Sequence, residues 1–237
     1  MKNVIAISPA RAGSKRIPNK NIAKFVGKPM IAWTIEAALE SGIFSDVLVS
    51  TDGDEIAELS RSLGASVPFL RNPAYADDYA PVSMATVSSL IQMEQHKLFQ
   101  YDVVVQLMPN CPCRTADDIV NSHDNFLNSN SDFQISVFPF GWMNPWWAMT
   151  LDEKAMRPVP IFPEAWKKRS QDMEKLYCPT GAVWIAKAEA LKEQKTFYGD
   201  GYKVFPLDWR NAVDIDDIDD LRMAEVLMLQ GSKTTSY

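Results

Sequence analysis

Ala10-Arg11-Ala12-Gly13-Ser14-Lys15-Arg16-Ile17-Pro18-Asn19-Lys20-Asn21 follows closely on the apolar run Val4-Ile5-Ala6-Ile7. That run has the length and character of a short buried strand. Behind it, Arg11, Lys15, Arg16 and Lys20 crowd four cations into ten residues of a chain whose formal net charge is −6. Positive charge concentrated against the overall sign points to an anion site. Gly13 and Ser14 let the backbone approach a ligand and offer it N–H groups, and Pro18 stiffens the exit. A strand, a small-residue turn and then Lys and Arg supply what a triphosphate requires: backbone donors for its oxygens and side-chain charge to balance its own. By themselves the residues would also suit a solvated basic loop beside a terminal strand. Two familiar phosphate loops are excluded. Pro29 follows the one Gly-Lys pair, Gly27-Lys28, so G-x-x-x-x-G-K-S/T is absent, and G-x-G-x-x-G is absent too.

The segment Pro9 to Asn21 resembles the signature P-A-R-x-G-S-K-x-I/L-P-x-K-N of the CMP-sialic acid synthetases. These are the acylneuraminate cytidylyltransferases, including enzymes for the sialic-acid relatives pseudaminic and legionaminic acid. The CMP-Kdo synthetases are similar, but theirs runs on into G-K-P-L where this chain has Asn19-Lys20-Asn21-Ile22. The resemblance covers nearly the whole chain and is weakest from Phe140 to Pro163. It implies a Rossmann-like nucleotide-diphospho-sugar transferase fold, with residues 1–237 as one nucleotidyltransferase domain. It also implies CTP and a nonulosonic acid as substrates, magnesium as cofactor, and a homodimer in which an insertion reaches towards the neighbouring active site.

Composition sets independent bounds. A chain of 237 residues suits one domain, or one with a sizeable insertion. Hydrophobic content of 46% and charged content of 23% are ordinary for a globular protein. The acidic balance argues against nucleic acid as a partner. No apolar run approaches membrane-spanning length, and Met1-Lys2-Asn3 leads straight into a strand rather than a signal peptide, so a cytoplasmic protein is expected. The cysteines are Cys111, Cys113 and Cys178; an odd count, with two of them almost adjacent, reads as reduced structural thiols. A zinc site would need more ligands, and His96 and His123 fall in helical patterns.

Along the chain, strand and helix patterns alternate. Pro29 opens a helix with Ile31, Ile35, Ala38 and Leu39 on one face and Gly42 as its stop. Val47 to Thr51 is a strand. Asp52 and Glu55 then resemble a capping box for a helix ending at Gly64. Ser66 to Leu70 reads as a third strand, and Ser83 as the cap of the next helix. Val103 to Leu107 is a near-continuous apolar strand, as at the centre of a parallel sheet. Thr115 with Asp118 caps a helix through Leu127, and Phe133 to Phe138 is a further strand. This repetition predicts an α/β fold, a mainly parallel sheet flanked by helices with right-handed crossovers. Ligands of such sheets sit off the carboxyl ends of the strands, where the opening loop, Asp52, Arg71 and the loop Pro109–Arg114 should share one rim.

From residue 139 to 178 the pattern breaks, with Pro139, Pro145, Pro158, Pro160 and Pro163 among Trp142, Trp146, Trp147 and Trp166. This is read as an insertion, a dimerisation and sugar-site subdomain; a local hydrophobic minicore is the other reading. Strand character returns at Gly181–Ala186 and Tyr202–Leu207. A last helix carries Leu221, Ala224, Val226 or Leu227, and Met228, and the tail from Gly231 to Tyr237 is expected to be disordered.

The second strong signal is Asp214-Ile215-Asp216-Asp217-Ile218-Asp219-Asp220. Asp214 and Asp216 alternate across one isoleucine at a strand end, so both carboxylates face the same side. Two hard oxygen ligands suit Mg²⁺ with waters and phosphates; an acidic helix start would explain the later aspartates equally well. The segment is similar to the family's metal motif D-I-D-x-x-x-D, which makes Asp214 and Asp216 the implied magnesium ligands. Arg71-Asn72-Pro73-Ala74-Tyr75-Ala76-Asp77-Asp78 resembles the family's nucleotide-facing R-P-x-x-L-A-x-D. The segment Pro109 to Thr115 resembles P-T-S-P-L-R-T, but Met108 stands where the sialic acid enzymes usually carry Gln. Lys167 to Tyr177 looks like R-x-Q-D-x-x-x-x-Y near the sugar, in a form nearest the pseudaminic acid enzymes. Thr180 stands where Asn is usual.

The resemblance therefore implies Lys15, Arg11 and Asp216 as catalytic residues. Ala10, Arg11, Gly13, Ser14, Lys20, Asn21, Arg71 and Asp78 would bind nucleotide, and Arg114, Arg169, Gln171 and Tyr177 the sugar. The reaction implied is attack of the sugar's anomeric hydroxyl on the α-phosphorus of CTP, with pyrophosphate leaving.

Overall fold

The computed structural model describes residues 3–14, 16–75 and 81–231. Lys15, Asp78 and the tail beyond 231 lie outside the described residues. Strand β1 (Val4–Pro9) is buried along its whole length, which is why its sequence does not alternate. A short hairpin, β2 (Lys24–Phe25) and β3 (Lys28–Pro29), leads into α1 (Met30–Ser41), then β4 (Asp46–Ser50) and α2 (Asp54–Ser62). The chain continues through α3 (Val82–Lys97), β5 (Val103–Gln106), α4 (Ala116–Asn128) and β6 (Phe133–Pro139). A second hairpin, β7 (Met149–Asp152) and β8 (Arg157–Pro160), precedes β9 (Tyr177–Lys187). The last elements are α5 (Ala188–Gln194), β10 (Lys203–Pro206) and α6 (Ile218–Gly231).

Six strands form the main sheet in the order β10-β6-β9-β5-β1-β4. β1 runs parallel to β4 and β5, and β10 parallel to β6. β9 alone is antiparallel to its neighbours β5 and β6. The expected α/β architecture with a mainly parallel sheet is therefore found, with one reversed strand at its centre.

Helices cover both faces. On one, Val4, Ala6, Val49 and Val105 meet Ile31 and Ile35 of α1, Ile56 of α2 and Ile119 and Phe126 of α4. On the other, Ile5, Ile7, Leu48 and Val104 meet Val87, Leu90 and Met93 of α3 and Leu191 of α5. A third cluster positions the site. Ile17, Phe25, Met30, Cys113, Val213, Ile215 and Ala224 join the β1 exit loop, the first hairpin, the β5 exit loop and α6.

Several local expectations change. Ser66 makes a single parallel bridge to Leu48 rather than opening a strand, because Pro68 brings no N–H to extend the ladder. Asp52 does not cap α2: the N-cap is Gly53, without a side-chain cap bond, and Asp52 Oδ1 accepts from Ala12 N–H at 2.8 Å instead. Ser83 lies buried inside α3, whose N-cap is Pro81. Thr115 and Asp118 do form the reciprocal capping box at α4. Gly42 ends α1 in the left-handed region, at φ 66°. Among the last-helix candidates Leu227 packs inward, whereas Val226 is exposed.

The core tolerates little added volume at one point. Phe133 is fully buried, and a Cβ on Gly199 would stand 2.2 Å from its ring. Gly199→Ala is expected to destabilise the fold by about 1–3 kcal/mol through overpacking, read as a lowered denaturation midpoint. An unchanged midpoint would mean that the ring has room to move aside.

Candidate active site

The β1 exit loop and the segment before α6 face each other across a cleft. Apolar residues seat both walls: Ile17 from one and Val213 and Ile215 from the other are buried in the same cluster. Charged residues interleave with them and are thereby turned outward. Lys20 Nζ donates to the Ile215 carbonyl at 2.7 Å and lies 3.2 Å from Asp216 Oδ1. Arg16 reaches the same carboxylate oxygen at 3.0 Å. The cavity between the walls measures about 380 Å³ and is lined by Pro9, Arg11, Ser14, Arg16, Ile17, Lys20, Asn21, Met108, Pro109, Asn110 and Asp216. It opens at the carboxyl ends of β1 and β5, where a sheet of this kind takes its ligands.

The loop backbone is held by side chains. Asn21, buried, donates from Nδ2 to the Arg11 carbonyl at 2.8 Å. Ala10 is fully buried and donates its N–H to the Ser50 carbonyl at 2.8 Å, so it contributes backbone rather than surface. Gly13 is exposed, and a Cβ there would meet nothing within 4 Å.

The acidic wall is organised from behind by Asn110. Its Nδ2 donates to Asp214 Oδ1, and its carbonyl accepts from Ile215 N–H at 2.8 Å. Asn110 Oδ1 is buried without a hydrogen-bond partner. Desolvation by the surrounding walls pushes the Asp214 carboxyl up to about 6, with Asp216 and Asp220 adding to the rise and Lys20 and Arg16 opposing it. Asp220 turns back to accept from the N–H groups of Asp216 and Asp217, at 2.9 and 3.0 Å, and so shapes the acidic turn.

Two predicted residues are buried in the frame beside the cleft. Arg71 is buried, donates from Nε to Ser50 Oγ at 3.0 Å, and lies at the end of β4. Burial pulls its pKa down to about 10, with Asp52 raising and Arg11 lowering it, so all three charges are neighbours. Arg114, expected to bind substrate, is engaged inside the protein. It is buried, donating to the Ala182 carbonyl at 2.7 Å, the Met108 carbonyl at 3.3 Å and Thr34 Oγ1 at 2.7 Å. Its guanidinium fastens the β5 exit loop to β9 and α1. Cys111 and Cys113 are free and buried, and burial raises both thiols, Cys113 to about 12, as expected of structural thiols.

Arg169, Gln171 and Tyr177 do not line this cleft. Arg169 is exposed and paired with Asp172 at 2.8 Å, and Gln171 lines a separate hollow of the insertion. Within the insertion Trp146 packs edge-on against Phe162 and donates to the Glu174 carbonyl at 2.9 Å. Trp142, Trp147 and Trp166 remain exposed.

Three contacts around the cleft could not be read in the sequence. Arg16 was visible as a cation, but nothing showed that it faces Asp216. Asn110 and Asp52 act through contacts that span 104 and 40 positions, beyond the reach of local pattern.

Among the described residues, no group of three or more His, Cys, Asp or Glu could hold a metal ion, and no helix is long and apolar enough to cross a membrane. Comparison with known proteins agrees with the geometry. Residues 5–192 match the family model described as cytidylyltransferase. The chain is 38% identical over 228 residues to pseudaminic acid cytidylyltransferase of Campylobacter jejuni, covering 96% of each. It is 34% identical over 233 residues to CMP-N,N'-diacetyllegionaminic acid synthase of Legionella pneumophila, covering 95% of this chain and 96% of that one. The fold is similar to CMP:2-keto-3-deoxy-manno-octonic acid synthetase solved with CTP, with a TM-score of 0.70 at 17% identity, covering 97% of this chain and 99% of that one. With the family model matching most of its length and the cation loop opening onto the cleft, this chain belongs to the cytidylyltransferases, a family of nucleotidyltransferase enzymes.

Proposed function

We propose that this protein joins CTP to a nine-carbon α-keto acid sugar, giving the CMP-sugar and pyrophosphate. One observation carries the reading: Arg16 and Lys20 of the first loop meet Asp216 across a cleft at the end of β1. Opposite charges on facing walls suit a triphosphate with its counter-ion. Relatives named for pseudaminic and legionaminic acid support a nonulosonic acid as the acceptor.

In this reading the anomeric oxygen forms a bond to the α-phosphorus and the bond to the β-phosphate bridging oxygen breaks. The hydroxyl proton passes to Asp216, directly or through water. Such chemistry is mostly positioning and charge neutralisation. Arg11, Lys15 and Lys20 neutralise the triphosphate, with Lys15 assigned to the reacting phosphates, and Asn21, Arg71 and Asp78 belong to the nucleotide side. Asp214 and Asp216 would hold Mg²⁺, which when bound screens phosphate charge and favours an ionised nucleophile. The donor set fits that ion: two hard carboxylates two residues apart leave its other positions to water and phosphate, and desolvation raises the Asp214 carboxyl to about 6, so a cation beside it would be favoured.

The sugar residues call for a second copy of the chain. Arg169, Gln171 and Tyr177 sit on an insertion whose Trp142, Trp147 and Trp166 are exposed. A homodimer that buries these rings and brings the three side chains to the partner's cleft explains both facts.

Pyrophosphate release measured across the four nucleotides and a panel of keto-sugar acids is expected to select CTP. It should also favour a dideoxy-diamino sugar such as pseudaminic or legionaminic acid over N-acetylneuraminate, because Met108 and Thr180 replace two polar groups. A higher kcat/KM for N-acetylneuraminate would reverse the assignment. Asp216→Asn should lower magnesium-dependent turnover by about a hundredfold or more in a folded protein; undiminished turnover would remove Asp216 from the chemistry. Mixing inactive Asp216→Asn with inactive Arg169→Ala subunits should restore partial activity if each site spans two copies, and no recovery after subunit exchange would confine the site to one chain.

A further inference from the structure

The peptide unit between Arg11 and Ala12 is held at both ends. Its carbonyl accepts from Asn21 Nδ2 at 2.8 Å, and its N–H donates to Asp52 Oδ1 at 2.8 Å. Two side chains from different segments thus fix the plane of one peptide in the loop that lines the cleft. The seat beneath it is shaped as well. A Cβ on Gly53 would stand 3.0 Å from Ala12 Cβ, well inside the ordinary carbon contact distance of about 3.5–4.0 Å. Glycine at 53 lets the loop come down onto the end of β4. The next turn is tied to the same residue, since Ser14 N–H donates to the Ala12 carbonyl at 3.1 Å.

A carboxylate at this place has an electrostatic cost. Asp52 neighbours Arg11 and Arg71, and its charge opposes an anionic ligand. As a helix cap it would be dispensable, and it does not cap α2. What its oxygen does is hold Ala12.

We propose that Asp52 is a positioning residue for the nucleotide site. Together with Asn21 it locks the Arg11–Ala12 peptide, and through it the path of the loop that brings Arg11, Ser14 and Arg16 to the cleft. Gly53 is the space that makes the latch possible. The inference rests on the reading of this cleft as the CTP site.

Calorimetric titration with CTP, paired with steady-state kinetics and thermal midpoints, tests it on native protein, Asp52→Ala, Asp52→Asn and Gly53→Ala. Misplacing the loop in Asp52→Ala should weaken CTP binding and raise its KM about tenfold or more, with the sugar KM and the midpoint little changed. Asp52→Asn retains an acceptor oxygen and should stay within about threefold of native, while Gly53→Ala, which pushes on Ala12 without touching any charge, should weaken CTP binding in the same direction. Native affinity in Asp52→Ala would overturn the proposal. Equal losses in the Ala and Asn variants would overturn it too, because charge rather than the latch would then be at work. Failure of the native protein to bind CTP would instead overturn the reading of the cleft, and the latch with it.

Discussion

Burial of Ile17 against Val213 and Ile215 is the contact on which the site depends. It brings together two segments that Lys20 and Ile215 mark as 195 positions apart. Each aliphatic side chain buried there contributes about 1.5–3 kcal/mol as an upper estimate. The Arg16–Asp216 pair lies largely in solvent and contributes about 0–1 kcal/mol. Apolar packing therefore sets the spacing of the walls, and the charges inherit it. This order of causes leaves the charges available: an ion pair that held the fold together could not readily be given up to a ligand.

The same cluster explains how much of the fold was legible. Continuous apolar runs at Val4–Ile7 and Val103–Leu107 announced strands buried on both faces, and the helices between them had clear faces and stops. What the pattern could not encode was direction. β9 carries the same small and β-branched residues that a parallel strand would, and its reversal follows because the segment 139–178 leaves and re-enters the sheet at one end, Pro139 of β6 pairing with Tyr177 of β9. Nor could the pattern separate a strand from a single bridge at Ser66, where the decisive feature is the missing N–H of Pro68.

Site residues were legible in proportion to how local their task is. The charge of the β1 exit loop and the spacing of Asp214 and Asp216 could be read directly, because each is a short-range pattern. Arg114 shows the limit of residue type, which alone cannot tell a guanidinium that meets substrate from one that satisfies buried carbonyls; here it is buried at the Ala182 carbonyl. Asp52 misled in the opposite sense. Its spacing to Glu55 matched a cap, but a backbone N–H from a segment 40 positions earlier won the carboxylate.

The Met108 side of the cleft follows a related logic. Met108 packs so closely on Gly181 that a Cβ there would lie 2.7 Å from Met108 Cγ. Thr180 donates its hydroxyl to the Ala212 carbonyl at 2.7 Å. Gln106, the nearest amide on the same strand, is buried and accepts from Thr86 Oγ1 at 2.6 Å. These polar groups are thus engaged inside the protein, and Met108 lines the cleft beside them. On the proposed function, a polyhydroxylated acceptor at such a wall would leave hydroxyls without partners, whereas one whose hydroxyls are removed or acylated would not. On that reading discrimination would reside in what the wall fails to satisfy, and the residues that would set it are the ones whose first duty is to pack β9 against β5.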